Sequence, residues 1–261
     1  MLKFLRDLRK YRDLLFMLTW RDIRIKYKQS VMGFMWAMLM PMLIVAAGLI
    51  VKLGLAGVSG RSIQMSQLAT VTLKALPWAF FVGAIRFATN SLTSNVNLVT
   101  KVAFPRAVFP LAATLSALFD FAIASVIVVV VLTIAHVGFS VHLLWVPLLL
   151  ALLFVQTAGF SLLLAAANLF FRDVKYIVEV IMTFAIFFTP VFYEVEMFGK
   201  WGQLLMLNPV APILEGLNAA VVHHHAPDLK WTLYAAGWGL LMMTVGPMIF
   251  YRLEPQFAES I

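Results

Sequence analysis

Two ionisable side chains of this sequence, Arg86 and Asp120, stand inside long uncharged stretches. In a membrane interior a charge persists only where it is paired or hydrated, so both residues mark either a structural ion pair or a substrate path. In the first interpretation Arg86 and Asp120 pair with each other between consecutive antiparallel helices. In the second, Arg86 faces a path and meets an anionic group of the substrate. The sequence leaves both open.

Residue patterns for catalysis are absent. The sequence contains no nucleophile with a matching base, no metal-ligand spacing and no GxxxxGK[ST] phosphate loop, so this chain is not expected to be an enzyme or to hydrolyse ATP. His223, His224 and His225 are adjacent, and adjacent side chains seldom converge on one ion. They favour an exposed loop, and no metal site is predicted.

Aromatic residues cluster near the ends of the apolar stretches, which is typical of the belt at a membrane–water interface. The polarised faces of such rings could instead support sugar rings by stacking. The candidates for a translocation path are therefore Arg86, Asp120, Trp36, Trp78, Phe80, Phe81, Phe192 and Tyr193.

The elements that must position these residues are membrane helices. The chain is 62% hydrophobic and 12% charged, with a mean hydropathy of +0.93, whereas a soluble chain has about 25% charged residues. Composition therefore predicts an all-α integral membrane protein. The net charge of +8 is explained by basic loops on one side of the membrane rather than by nucleic acid.

Six membrane-spanning helices are predicted, because about 20 apolar residues cross the hydrocarbon core. They cover about 31–51, 75–95, 108–134, 144–170, 177–193 and 231–251, within a membrane domain of residues 31–253. The second span contains Arg86 and has a polar second half, so it is the expected lining of a path. The segment 121–171 has no charged residue, and its break falls at 136–142.

The first 30 residues are predicted to form an amphipathic interfacial helix, with one apolar stripe opposite a basic face. The alternative is a soluble helix packed on a partner. Six spans place both termini on one side, which holds 14 Lys and Arg against five on the other. This bias predicts cytoplasmic termini, including a short tail at 254–261.

Six motifs in order carry a family resemblance: YKQSVMGFMWAMLMP (27–41), LPWAFF (76–81), LVTKVAFPRAVFPLA (98–112), NLFFRDVKYIVEV (168–180), FFTPVFY (187–193) and LNPVAPILE (207–215). Together they resemble the permease of the ABC-2 family. The similarity is to the branch that exports polysaccharides such as O-antigen, capsule or teichoic acid, and it covers nearly the whole chain.

The resemblance implies a homodimer that binds two copies of an ABC ATPase subunit, which carry ATP and Mg, with no cofactor on this chain. It implies a multi-pass protein of the bacterial cytoplasmic (inner) membrane that exports a lipid-linked glycan. Residues 95–110, with Lys101, Pro105 and Arg106, would form a coupling helix on the ATPase, and Arg21 and Arg24 of the N-terminal helix would contact it too. Extracytoplasmic re-entrant helices would lie at about 194–225.

Two alternatives remain at this stage. An ABC-2 exporter of a small hydrophobic compound or drug would share the fold. An integral enzyme or scaffold is a different class, and the lack of converging His, Asp or Cys sets argues against an enzyme.

Overall fold

The computed structural model describes residues 2–28, 33, 35–59, 65–102 and 104–257. The N-terminal helix is predicted to bend near 29–33 where it enters the first span, and of this bend only residue 33 is described. The tail beyond 257 also lies outside the described residues. The described part is helical: α1 Leu2–Lys10, α2 Arg12–Tyr27, α3 Met35–Ser59, α4 Met65–Asn90, α5 Val96–Lys101, α6 Val108–Ile134, α7 Trp145–Phe170, α8 Val174–Phe184, α9 Gly202–Leu205, α10 Ala211–Val221 and α11 Leu229–Leu253.

Four segments are long and apolar enough to cross a membrane: Met65–Asn90, Val108–Ile134, Val141–Phe170 and Leu229–Gln256. They contain α4, α6, α7 and α11. Helix α6 has the ends expected for the third span, and the chain breaks between α6 and α7 where the sequence predicts. By length and composition, then, the described part supports four spans.

The first predicted span begins in residues outside the described part, and its described portion lies in α3, Met35–Ser59. The fifth predicted span has a different form. Helix α8 continues as a 3-10 helix over Ala185–Phe188 and stops before Pro190. At about 1.5 Å per α-helical residue and about 2 Å per 3-10 residue, the two together reach roughly 25 Å. A bilayer core is about 30 Å thick, so α8 does not match a regular span.

Helix α4 is the centre of the bundle. Its apolar segment is 78% buried, against 22% for α6. It starts at Met65, earlier than the predicted 75, because its polar first turns are satisfied internally: Thr72 Oγ1 donates to the Leu68 carbonyl. The polar second half behaves in the same way, since Thr89 and Ser91 are buried and bond to backbone carbonyls. The polarity of Thr89 and Ser91 is therefore accounted for inside α4, and a path lined by other residues of this span stays a prediction.

Helices α7 and α11 run in the same direction and touch closely. A Cβ on Gly159 would lie 2.4 Å from the backbone of Met242, and one on Gly246 would lie 2.6 Å from the Gly159 carbonyl oxygen. Further along both chains, Phe170 packs on Phe257 at 5.9 Å. Small residues permit this approach of two helices.

Helix α4 runs in the same direction as α7. The rings of Phe81 and Phe160 lie 6.2 Å apart, and Asn168 donates to the Thr89 carbonyl at 2.9 Å. Residues later in α4 therefore contact residues later in α7, as in a parallel helix pair. The chain between α7 and α11 must in consequence return from one end of the bundle to the other.

The N-terminal helices α1 and α2 pack at the end of the bundle where α11 finishes. Phe4 is buried against Tyr251, whose hydroxyl donates to Asp7 at 3.1 Å. Leu18 of α2 belongs to the same apolar cluster as Leu92. Phe4 and Leu18 thus anchor the N-terminal segment to the bundle, and its basic residues are largely exposed. Its place at the membrane interface stays a prediction.

The segment between α8 and α11 is made of short elements: a 3-10 helix over Val195–Trp201, then α9, then α10. Helix α10 packs on α7 and α4, and Gly216 faces Leu149 at the first turns of α7. This is the segment where re-entrant helices are predicted, and their re-entrance remains a prediction.

Candidate functional site

Asp120 lies near the middle of α6 and is bound by α2. Lys26 Nζ lies 2.9 Å from its Oδ2 atom, and the Tyr27 hydroxyl donates to its Oδ1 atom. The same ammonium group lies 4.1 Å from the centroid of the Phe87 ring, so Lys26 joins α2, α4 and α6. Burial raises the pKa of the Tyr27 hydroxyl, and its hydrogen bond to Asp120 raises it further, so Tyr27 acts as a neutral donor.

Arg86 pairs with a different residue from the one considered in the sequence. Its Nη2 atom lies 2.9 Å from Glu179 Oε1 and donates to Thr183 Oγ1 at 3.0 Å. The ion pair between Arg86 and Asp120 is not formed, because α8 supplies a carboxylate to Arg86 and α2 supplies an ammonium group to Asp120. Arg86 also lies four residues before the end of α4, not at its middle.

Lys74 and Glu215 form a third interhelical pair that sequence reasoning missed. Lys74 is fully buried in α4, and its Nζ atom lies 2.7 Å from Glu215 Oε1 on α10. Burial raises the pKa of Glu215, while the Lys74 charge and hydrogen bond oppose that shift. In the sequence Lys74 reads as a loop residue at the edge of a span. The only local indication that Lys74 lies inside a helix is that the nine residues before it are compatible with a helix. Its partner is not indicated by any local pattern, because 141 residues separate the two.

Three of the aromatic path candidates are core residues. Trp78, Phe80 and Phe81 are each at most 6% exposed, and their rings pack on one another or on Phe121 and Phe160. In this conformation they do not line a surface, and their predicted place in a path is corrected to a packing role in the bundle.

The other aromatic candidates are more accessible. Trp36 on α3 is 45% exposed. Phe192 is partly buried and fills the space over Gly48, where a Cβ would lie 2.6 Å from its ring. The Tyr193 hydroxyl donates to the Phe187 carbonyl, and its ring packs on Phe198 at 5.0 Å.

The coupling candidates lie on the turn between α4 and α6 and on α2. Lys101 is the last residue of α5 and is exposed, and Pro105 lies between α5 and α6. Arg106 is fastened inward: its backbone N–H donates to Glu254 Oε1 at 2.7 Å and its side chain to the Val99 and Glu254 carbonyls. A structural role therefore accounts for Arg106 without a partner subunit.

The two α2 candidates differ from each other. Arg21 pairs with its neighbour Asp22 at 2.8 Å, whereas Arg24 is exposed and stacks over Trp20 at 5.5 Å. The α5 helix falls inside the predicted coupling segment, but it is only six residues long. The contact of either region with an ATPase stays a prediction.

The histidine triplet is an exposed turn after α10. The rings of His223 and His225 stack at 5.9 Å, and His224 has a positive φ of 54°. Within the described ranges, no three His, Cys, Asp or Glu side chains come together so as to hold a metal ion.

Comparison with known proteins gives the chain a family. The model of the ABC-2 type transporter family matches residues 13–222. The O-antigen export system permease protein RfbA of Myxococcus xanthus is 28% identical over 265 residues and is covered completely, as is this chain. Two proteins of the same name from Klebsiella pneumoniae are 28% and 27% identical, each with 95% of both chains covered.

These matches and the apolar helices describe a multi-pass membrane protein related to the permease subunits of transporters. The family model covers α4, α6 and α7 and includes Lys26, Lys74, Arg86, Asp120, Glu179 and Glu215. This chain belongs to the ABC-2 type transporter family.

Proposed function

We propose that this chain is the permease subunit of an ATP-driven ABC exporter that moves a lipid-linked polysaccharide of the O-antigen kind across the bacterial cytoplasmic membrane. The observation that carries the proposal is end-to-end similarity to proteins named O-antigen export permeases. ATP and Mg would be held by two copies of a separate ATPase subunit, and no cofactor is proposed on this chain.

The proposed topology has six crossings with both termini in the cytoplasm. The parallel directions of α7 and α11 support a crossing through α8 and the residues that follow it, despite the shortness of α8. A crossing through α3 is supported because α2 packs at one end of the bundle and α4 begins at the other. Short helices after α8, at 195–221, would be the re-entrant elements.

A homodimer is supported by the exposed side of α8. Apolar residues there are widely exposed, among them Ile177 at 54%, Val180 at 57% and Phe184 at 59%. The Glu179 side chain is 57% exposed on the same helix. Lipid does not solvate a carboxylate, which favours water or a second copy over lipid beside α8. Two copies facing each other through α8 would enclose a path into which the side chains of Arg86 and Glu179 project.

Deletion and complementation in the native host test this function. The proposal expects loss of surface polysaccharide in the deletion strain, with lipid-linked glycan accumulating inside the cell, and restoration by the intact gene. Surface polysaccharide is followed by electrophoresis and the carrier-linked glycan by mass spectrometry of spheroplasts. Unchanged surface glycan together with increased sensitivity to apolar drugs would instead support the alternative, an exporter of a small hydrophobic compound.

A further inference from the structure

The pair Arg86–Glu179 is the most open of the ion pairs between helices. In the part of the chain that the structure describes, three such pairs occur, and the other two are enclosed: Lys26–Asp120 has side chains 21% and 25% exposed, and Lys74–Glu215 0% and 20%. For Arg86–Glu179 the values are 36% and 57%. Glu179 is therefore the least enclosed of the three carboxylates, and the packing of this chain leaves it room to move away from Arg86.

Both groups that hold Arg86 belong to one face of α8. Glu179 and Thr183 are four residues apart on that helix, so their side chains are neighbours. The Thr183 hydroxyl donates to the Glu179 carbonyl and accepts from Arg86 Nη2. The Arg86 side chain thus joins α4 to this face of α8 by polar contacts.

The guanidinium group of Arg86 has unused capacity. A guanidinium carries five N–H donors and matches phosphate oxygens in a two-point geometry. Here both polar contacts within 3.0 Å go through Nη2, and the buried Nε atom has no hydrogen-bond partner among the described residues. A ligand with several anionic oxygens would satisfy this arginine better than one carboxylate does.

We propose that Glu179 occupies, in the substrate-free state, the place on Arg86 that the diphosphate group of the transported lipid-linked glycan takes during export. This inference rests on the proposed function for the identity of the diphosphate carrier. The diphosphate displaces the carboxylate, and because Glu179 and Thr183 lie on α8, the exchange also breaks the polar contacts between Arg86 and α8. Arrival of the substrate's charged group thereby weakens the attachment of α8 to α4.

Binding of diphosphates to the purified full-length permease in nanodiscs tests the exchange. Farnesyl diphosphate and inorganic pyrophosphate are the probes, and calorimetry gives Kd for each. In Glu179→Gln the competing anion is gone, so farnesyl diphosphate should bind about tenfold more tightly than to the wild type, as expected for loss of one charge-assisted hydrogen bond. In Arg86→Gln the binding should disappear.

The matched control is Glu215→Gln, which removes the carboxylate that faces the other α4 cation, Lys74, and should leave Kd unchanged. If Glu179→Gln lowers Kd for both probes, the site recognises the diphosphate itself. If it lowers Kd for farnesyl diphosphate alone, the site recognises a diphosphate carried on a lipid. Either result supports the exchange. An unchanged or weaker Kd in Glu179→Gln, equal tightening in Glu215→Gln, or retained binding in Arg86→Gln overturns it. The binding assay uses purified protein and does not depend on export. If Glu179→Gln leaves Kd unchanged while the deletion strain loses surface polysaccharide, the exchange is rejected and the proposed function stands.

Discussion

Lys74, Arg86 and Asp120 each meet an opposite charge from a distant part of the chain. Lys26 reaches Asp120 from α2, Glu179 reaches Arg86 from α8, and Glu215 reaches Lys74 from α10. The cost of a charge in an apolar bundle explains why each has a partner, but such a pair is not by itself strongly stabilising. Their contribution is to select which helices pack together.

Residue-scale substitutions should reveal this at Lys74. Glu215→Leu leaves a fully buried ammonium group without its carboxylate and should cost about 3–5 kcal/mol of stability. Lys74→Met should cost less, because Glu215 is 20% exposed. The double variant should recover most of the loss, since an apolar pair can replace a buried ion pair.

Thermal unfolding of the detergent-purified variants measures these three values, and Lys200→Met, at an exposed lysine, serves as the control. Additive losses in the double variant would show that Lys74 and Glu215 do not interact.

Element packing depends on close helix contacts as well as on charge. Helices α7 and α11 approach through Gly159 and Gly246, where no side chain fits. Because α7 and α11 are parallel, the chain between them must return from one end of the bundle to the other.

Gly159→Ala should lower stability by about 1–3 kcal/mol, because the added methyl group meets the Met242 backbone rather than a flexible side chain. Gly237→Ala, on the same α11 helix but with no atom within 4 Å of the new Cβ, should be neutral or slightly stabilising. The difference in melting temperature between the two variants checks the prediction. Equal melting temperatures would contradict the tight α7–α11 contact.

At the scale of the whole molecule, charge distribution and helix direction support the same topology. Lys74 is buried in α4, and Lys26 pairs with Asp120 near the middle of α6, so neither counts as a loop residue. Without them, 13 Lys and Arg lie on the predicted side of the termini and four on the other side. This bias supports the proposed cytoplasmic location of the termini.

Single cysteines test this topology directly, because the natural chain has none. Phe139→Cys lies in the α6–α7 turn, where Phe139 is 98% exposed, and should react with a membrane-impermeant maleimide added to intact spheroplasts. Thr100→Cys, on exposed α5, should react only after permeabilisation, which also serves as the accessibility control. Labelling of both positions from the same side would rule out the proposed arrangement.

Much of the helical architecture follows from local pattern. The lengths of apolar runs and amphipathic spacing are local properties of the sequence. They account for the ends of α6, for the break before α7 and for the face by which the N-terminal helices are anchored. The start of α4 was misplaced because Ser66, Thr70 and Thr72 read as a polar loop. Their polarity is compatible with a buried helix once each hydroxyl has a backbone or neighbouring partner, as Thr72 does.

The candidate site was less accessible to such reasoning. Arg86 and Asp120 were recognised as important because charge inside an apolar run is costly, and that principle needs only the sequence. Their partners were missed, and Trp78, Phe80 and Phe81 were placed in a path although they lie in the core. Pairing and side-chain direction depend on which helix faces which, and that arrangement involves contacts between residues up to 244 positions apart.

The sequence by itself determined that this is a helical membrane protein of the ABC-2 family, because composition, run length and ordered motifs are properties of the chain. Only the tertiary structure decided that Glu179 faces Arg86, that Asp120 is closed off by α2, and that Lys74 is buried against Glu215. The physical reason is that the partner of a charge is selected by three-dimensional packing, to which separation along the chain gives no guide.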